Sequence, residues 1–168
     1  WELRGLELLA QIQTAEGRHS DASRAYKEVE TFAESALSGA DTESAKEHLT
    51  ASQRTAAARG GWVLLDKAVD TKSSGDFQAA KAYFDALATK YRTSRPVMAA
   101  VTNAYGVIEF EKSGGDKLVA LRLFEEAEVR YFGDQFETAR SLYYQARCLD
   151  DLGDKEGRQL RLDNLQKY

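Results

Sequence analysis

One recurrence constrains this chain more than any other feature. Gly75 to Tyr91 reads GDFQAAKAYFDALATKY, and Gly115 to Tyr131 and Gly153 to Tyr168 repeat its outline. Each copy opens on Gly-Asp and carries apolar residues at helical spacing. Each closes on a basic residue followed by Tyr: Lys90-Tyr91, Arg130-Tyr131 and Lys167-Tyr168. Gly and Tyr stand 16 positions apart in the first two copies and 15 in the third. A short amphipathic helix cannot cover its own apolar side. A recurrence of this kind therefore means one supersecondary unit stacked on near copies of itself.

Composition narrows the class. Of 168 residues, 43% are hydrophobic and 30% charged, which excludes a disordered chain. No run approaches the roughly 18 apolar residues of a membrane-spanning helix, so direct membrane insertion is not expected. Net charge is −4, with basic and acidic residues interspersed, so there is no nucleic-acid footprint. A single Pro and little β-type alternation argue for an all-α chain. One Cys excludes an intrachain disulfide. The start on Trp1 and the end on a basic-Tyr pair, which elsewhere is followed by more protein, read as an excised or processed chain.

Along the chain, 1–16 places Leu3, Leu6, Leu9, Ala10 and Ile12 near one stripe, and Gly17 ends that helix. Ser20 or Asp21 is expected to cap a second helix to about Leu37, with Ala22, Tyr26, Val29 and Ala33 on one face. These two form a diverged N-terminal helix pair, 1–37. A connecting segment, 38–60, carries an irregular extra helix near 42–59, capped by Asp41 or Thr42. Gly60-Gly61 leaves two alternatives open: one long helix over 42–73, or two with a kink. From 61 to 168 the pattern is a regular array of about three helix pairs. Asp76, Asp116 and Asp134 are expected N-caps, Gly153-Asp154 starts the last helix, and Pro96 suits a first helical turn.

Helix pairs of this length with Gly at the turn resemble tetratricopeptide repeats. The family's small residue of the first helix matches Ala10, Ala68, Gly106 and Ala146. Its turn Gly matches Gly17, Gly75, Gly115 and Gly153. The small residue of the second helix matches Ala22, Ala80 and Ala120, the aromatic Tyr26, Phe84 and Phe124, and the next apolar position Val29, Leu87 and Ala127. Arg158 and Leu162 depart from this pattern, as do Lys67 and Thr71, and 38–60 has no counterpart. The resemblance implies a right-handed α-solenoid. The ending Phe84-Asp85-Ala86-Leu87-Ala88-Thr89-Lys90-Tyr91 and the string ARCLDDLGDKE at 146–156 are similar to bacterial envelope repeat proteins, of the Tol–Pal accessory and outer-membrane assembly lipoprotein types. That implies a periplasmic or envelope-associated scaffold, with a cytoplasmic location as the alternative.

No catalytic or metal constellation is legible, and neither an enzymatic activity nor a cofactor is expected. His19 and His48 stand on different segments without partners at metal-ligand spacing, and both read as solvated. Cys148 reads as a small buried residue. The Gly-Asp dipeptides lack the G-x-x-x-x-G-K-[ST] pattern and act as turn plus cap.

The expected function is binding of a protein or peptide in a concave groove lined by the first helix of each pair. The candidate groove residues are Trp62, Lys72, Asn103, Phe110, Arg140, Tyr143 and Arg147. Arg140, Tyr143 and Arg147 form the patch best suited to an acidic or C-terminal carboxylate group. The competing reading is a solvated face with internal ion pairs such as Arg147 to Asp151. Trp62 either anchors a partner or seals a junction within the chain. The last helix either caps the array or docks a following repeat. A structural, self-associating segment of a larger repeat protein is the alternative function.

Overall fold

The computed structural model describes residues 2–131 and 133–168, and among these the regular structure is entirely α-helical. The order is α1 (Glu2–Ala15), α2 (His19–Leu37), α3 (Glu43–Thr71), α4 (Ser74–Lys90), α5 (Arg95–Glu111), α6 (Lys117–Arg130), α7 (Gln135–Asp151) and α8 (Lys155–Leu165). Among the described residues no helix is long and apolar enough to cross a membrane. The chain forms two compact units, 1–83 and 84–168, with the boundary inside α4.

In the first unit α2 packs between α1 and α3. Its core gathers Ala10 of α1, Ala22, Ala25, Tyr26 and Val29 of α2, and Ala56 and Val63 of α3, with Leu3 and Leu6 at the edge. The small side chains let helices approach closely, and Tyr26 fills the space between them. The segment 42–73 resolves to one continuous helix of 29 residues, started by Thr42, whose hydroxyl accepts from the Ala45 amide at 3.2 Å. Gly60 and Gly61 lie inside it and are buried. A Cβ on Gly60 would stand 3.0 Å from the Tyr83 hydroxyl and 3.5 Å from Tyr26 Cβ. The helix therefore runs through its two weak formers because the missing side chain admits Tyr83, whose hydroxyl donates to the Ala57 carbonyl at 3.0 Å. A connecting helix ending near residue 60 is thus not observed.

Three capping expectations need correction. Asp76 is not an N-cap: α4 begins at Ser74, and the Ser73 hydroxyl accepts from the Asp76 amide at 3.3 Å. Neither Ser20 nor Asp21 caps α2, which starts at His19 with Arg18 as N-cap and no side-chain cap bond. The left-handed turn position falls on Gly17, Lys72, Gly114, Gly133 and Gly153, so Gly75 and Gly115 are not the residues that supply it. Gly17 and Gly153 each close a helix by paired backbone bonds, Arg18 N to Gln13 O with Gly17 N to Thr14 O, and Asp154 N to Leu149 O with Gly153 N to Asp150 O. Asp116, Asp134 and Asp154 do cap α6, α7 and α8, and Pro96 sits in the first turn of α5.

In the second unit α6 packs on α5 and α7, α7 packs on α8, and α5 also meets α7. Helix α5 is buried along almost its whole length, from Val97 to Phe110. Gly106 lies against the Phe124 ring. Phe124 is fully buried and stacks on Tyr144 with ring centroids 5.1 Å apart. The register read from the sequence holds for burial in both units: every small, aromatic and following apolar position named for the first three repeats is buried, Phe84 included. Helix α8 buries no residue completely and presents Glu156, Gln159, Leu160 and Asp163 to solvent.

Candidate functional site

The site that can be built from these residues lies on α7 in the second unit. Asp134 starts that helix by accepting from the Glu137 amide at 3.0 Å. Helical spacing then sets Phe136, Arg140, Tyr143 and Arg147 along one face, at i, i+4, i+7 and i+11. Phe136 is 81% exposed and Tyr143 is 47% exposed, so this ridge offers two aromatic rings to solvent. Phe136 was missed in the sequence, although it stands seven residues before Tyr143 on the same helix.

The two arginines are held from below. Arg147 Nη1 donates to Glu111 Oε1 at 2.9 Å, across from α7 to α5. Its guanidinium carbon sits 4.5 Å from the centroid of the Phe110 ring and 5.3 Å from that of Tyr144. Burial works against the Arg147 charge, but Glu111 outweighs it and holds the guanidinium above its ordinary pKa. Burial raises the Tyr144 phenol, with Glu111 adding to the effect. Lys117 Nζ stands 3.6 Å from the centroid of the same Phe110 ring and 3.5 Å from Asp151 Oδ2. Arg140 donates to Glu137, whose second carboxylate oxygen accepts from Asn103 Nδ2 at 2.8 Å. Asn103 Nδ2 also donates to the Glu137 carbonyl at 2.9 Å, and Ser141 Oγ donates to Asn103 Oδ1 at 2.7 Å.

This geometry redistributes the residues named from the sequence. Arg140, Tyr143 and Arg147 share the exposed ridge. Asn103 and Phe110 do not face a groove: Asn103 is fully buried and ties α5 to α7, and Phe110 is the buried floor under Arg147 and Lys117. Arg147 pairs with Glu111, not with Asp151, and Glu111 could not be found from α7 alone because it comes from another helix. Trp62 and Lys72 belong to the first unit. Trp62 is buried in α3, and Lys72 is exposed as the left-handed cap that ends it.

Other reactive groups are otherwise engaged. Cys148 is fully buried, and burial pushes its thiol up to about 11. His19 is half-buried rather than solvated, with Nε2 3.2 Å from Asp70 Oδ2, while His48 is exposed. Among the described residues no group of three His, Cys, Asp or Glu side chains is placed to hold a metal ion.

The ridge can do one thing chemically. The carboxylates of Glu111 and Glu137 lie nearly buried beneath it, and the guanidinium edges and aromatic rings lie above. The outward surface is therefore cationic and aromatic, although the local charges balance. No protein-family model, curated protein or solved structure matches this chain.

Proposed function

We propose that the chain is a non-enzymatic protein–protein interaction scaffold, a right-handed solenoid of tetratricopeptide-like helix pairs, that binds an acidic peptide or partner surface on α7. The observation that carries this reading is the ridge Phe136, Arg140, Tyr143 and Arg147, with its two exposed aromatic rings. Aromatic residues and Arg are the side chains that dominate binding energy at protein interfaces. The guanidinium groups are pre-positioned by the acids beneath them, so less side-chain entropy is lost on binding. The buried small and aromatic positions support the repeat reading, because they are the positions that stacking must cover. The Lys90-Tyr91 ending favours a bacterial envelope complex in the periplasm as the setting. The exposed apolar residues of α1 favour a second reading, a self-associating structural segment.

The test uses labelled acidic peptides carrying one aromatic or aliphatic residue, read by fluorescence anisotropy. Phe136→Ser and Tyr143→Ala should each weaken the best binder about tenfold, about 1.4 kcal/mol, with the melting temperature almost unchanged because both rings are largely outside the core. Arg147→Glu is the poorer variant, since it sets a second carboxylate against the nearly buried Glu111. A binder indifferent to both aromatic substitutions, or no acidic peptide binding at all, sinks the reading.

A further inference from the structure

The ridge on α7 has a period of its own. Phe136 and Tyr143 stand seven residues apart, and so do Arg140 and Arg147. At 3.6 residues per turn all four fall within about 60° of one another round the helix. Along its axis the steps between them are about 6, 4.5 and 6 Å, so each like pair is about 10.5 Å apart. This is the d-a-d-a spacing of a helix–helix seam, with an aromatic ring at each d place and a guanidinium at each a place. The next place on the stripe is Asp150, which pairs with Arg158 at 3.5 Å and ends the cationic run.

The period selects the shape of the occupant. An extended strand sets same-face side chains about 6.7 Å apart, so alternating apolar and acidic groups would recur only every 13.4 Å or so. Polyproline II returns to one face about every 9.3 Å, with no side chain on that face between. Neither presents an apolar group and an acid in turn at about 10.5 Å. A second α-helix does, because its own residues seven apart stand about 10.5 Å apart on one face. Charge and burial select the chemistry. Arg147 donates to Glu111 through Nη1, and a guanidinium carries five N–H donors, so it accommodates a further carboxylate. The exposed Phe136 and Tyr143 rings gain from apolar cover. Resting on the reading that the ridge binds an acidic partner, we infer that this partner is an amphipathic α-helix laid along α7. It carries an apolar residue and an Asp or Glu on one stripe, each repeated every seven positions.

The probe is a labelled peptide of about 20 residues, long enough to be helical alone, with Leu and Glu each repeated at that period on one stripe. Titrated against the whole chain by fluorescence anisotropy, it should bind, and Phe136→Ser and Tyr143→Ala should each weaken it about tenfold. A peptide of the same composition with the spacing scrambled, and one with a central Pro, should each bind about tenfold more weakly or worse. A lactam bridge joining positions i and i+4 on the peptide's outer face should tighten binding. The inference falls, and the acidic-partner reading stands, if the scrambled or Pro-broken peptide binds as well as the periodic one while Phe136→Ser still weakens it. Both fall if no acidic peptide binds in any form, or if binding ignores Phe136→Ser and Tyr143→Ala. A chain that dimerises in sedimentation equilibrium until Phe136→Ser separates it has a second copy as the occupant, and that too overturns the inference.

Discussion

Asp76 shows how one residue can keep its importance and change its role. Its Gly-Asp setting reads as a helix cap, yet it sits in the first turn of α4 and acts as an acceptor. Lys67 Nζ donates to one carboxylate oxygen at 2.8 Å and Thr71 Oγ1 to the other at 2.9 Å. Lys67 and Thr71 are the two polar residues that departed from the repeat pattern, and this clamp from the end of α3 is the reason they are polar. The hydrogen bond from Lys67 is the largest cause holding the Asp76 carboxyl below its ordinary value of 3.8, with that from Thr71 next. A depressed carboxylate contributes stability that is complete above its unfolded value and is lost as the pH falls through the folded one. Chemical denaturation at stepped pH should therefore show the chain losing stability below about 3.8 more steeply than Asp76→Asn, whose amide cannot titrate. Parallel curves for the two would show that the clamp contributes nothing to folding.

At the scale of elements, the second unit depends on how closely α5 and α6 approach. The contact is Gly106 of α5 against Phe124 of α6, whose ring also stacks on Tyr144 of α7. A Cβ on Gly106 would lie 2.6 Å from the nearest ring carbon, and that ring is fully buried and stacked on Tyr144, so any shift to admit the Cβ disturbs the core. In an exposed helix Gly→Ala stabilises by about 1 kcal/mol, so the sign of the effect is diagnostic. Here Gly106→Ala should destabilise by about 1–3 kcal/mol in urea titration, as overpacking does. A stabilised variant would mean that the two helices stand further apart than described. The small-residue position was legible from sequence because both partners recur at a fixed offset. The buried Asn103, Glu137 and Ser141 were not, because a polar side chain on a helix reads as solvent-facing until its partners on another helix are known.

At the scale of the whole chain, the packing found within each unit is between helices close in sequence: α1 with α2, α2 with α3, α5 with α6, α6 with α7, α7 with α8, and α5 with α7. Loops closed by such contacts are short, and helical folds of low contact order refold within roughly milliseconds. Stopped-flow refolding followed by tryptophan fluorescence should show its main phase on that scale, and a dominant phase of seconds would contradict a locally built fold. The helices, most of their caps and the positions that must be buried were determined by the sequence alone. Local propensity, capping chemistry and hydrophobic period act within a few residues, so they can be read along the chain. Tertiary structure alone decided that α3 runs unbroken through Gly60-Gly61, that Lys67 and Thr71 serve Asp76, and that Arg147 answers Glu111. In each case the deciding partner lies on another helix, and what a polar or missing side chain does depends on the neighbour it meets.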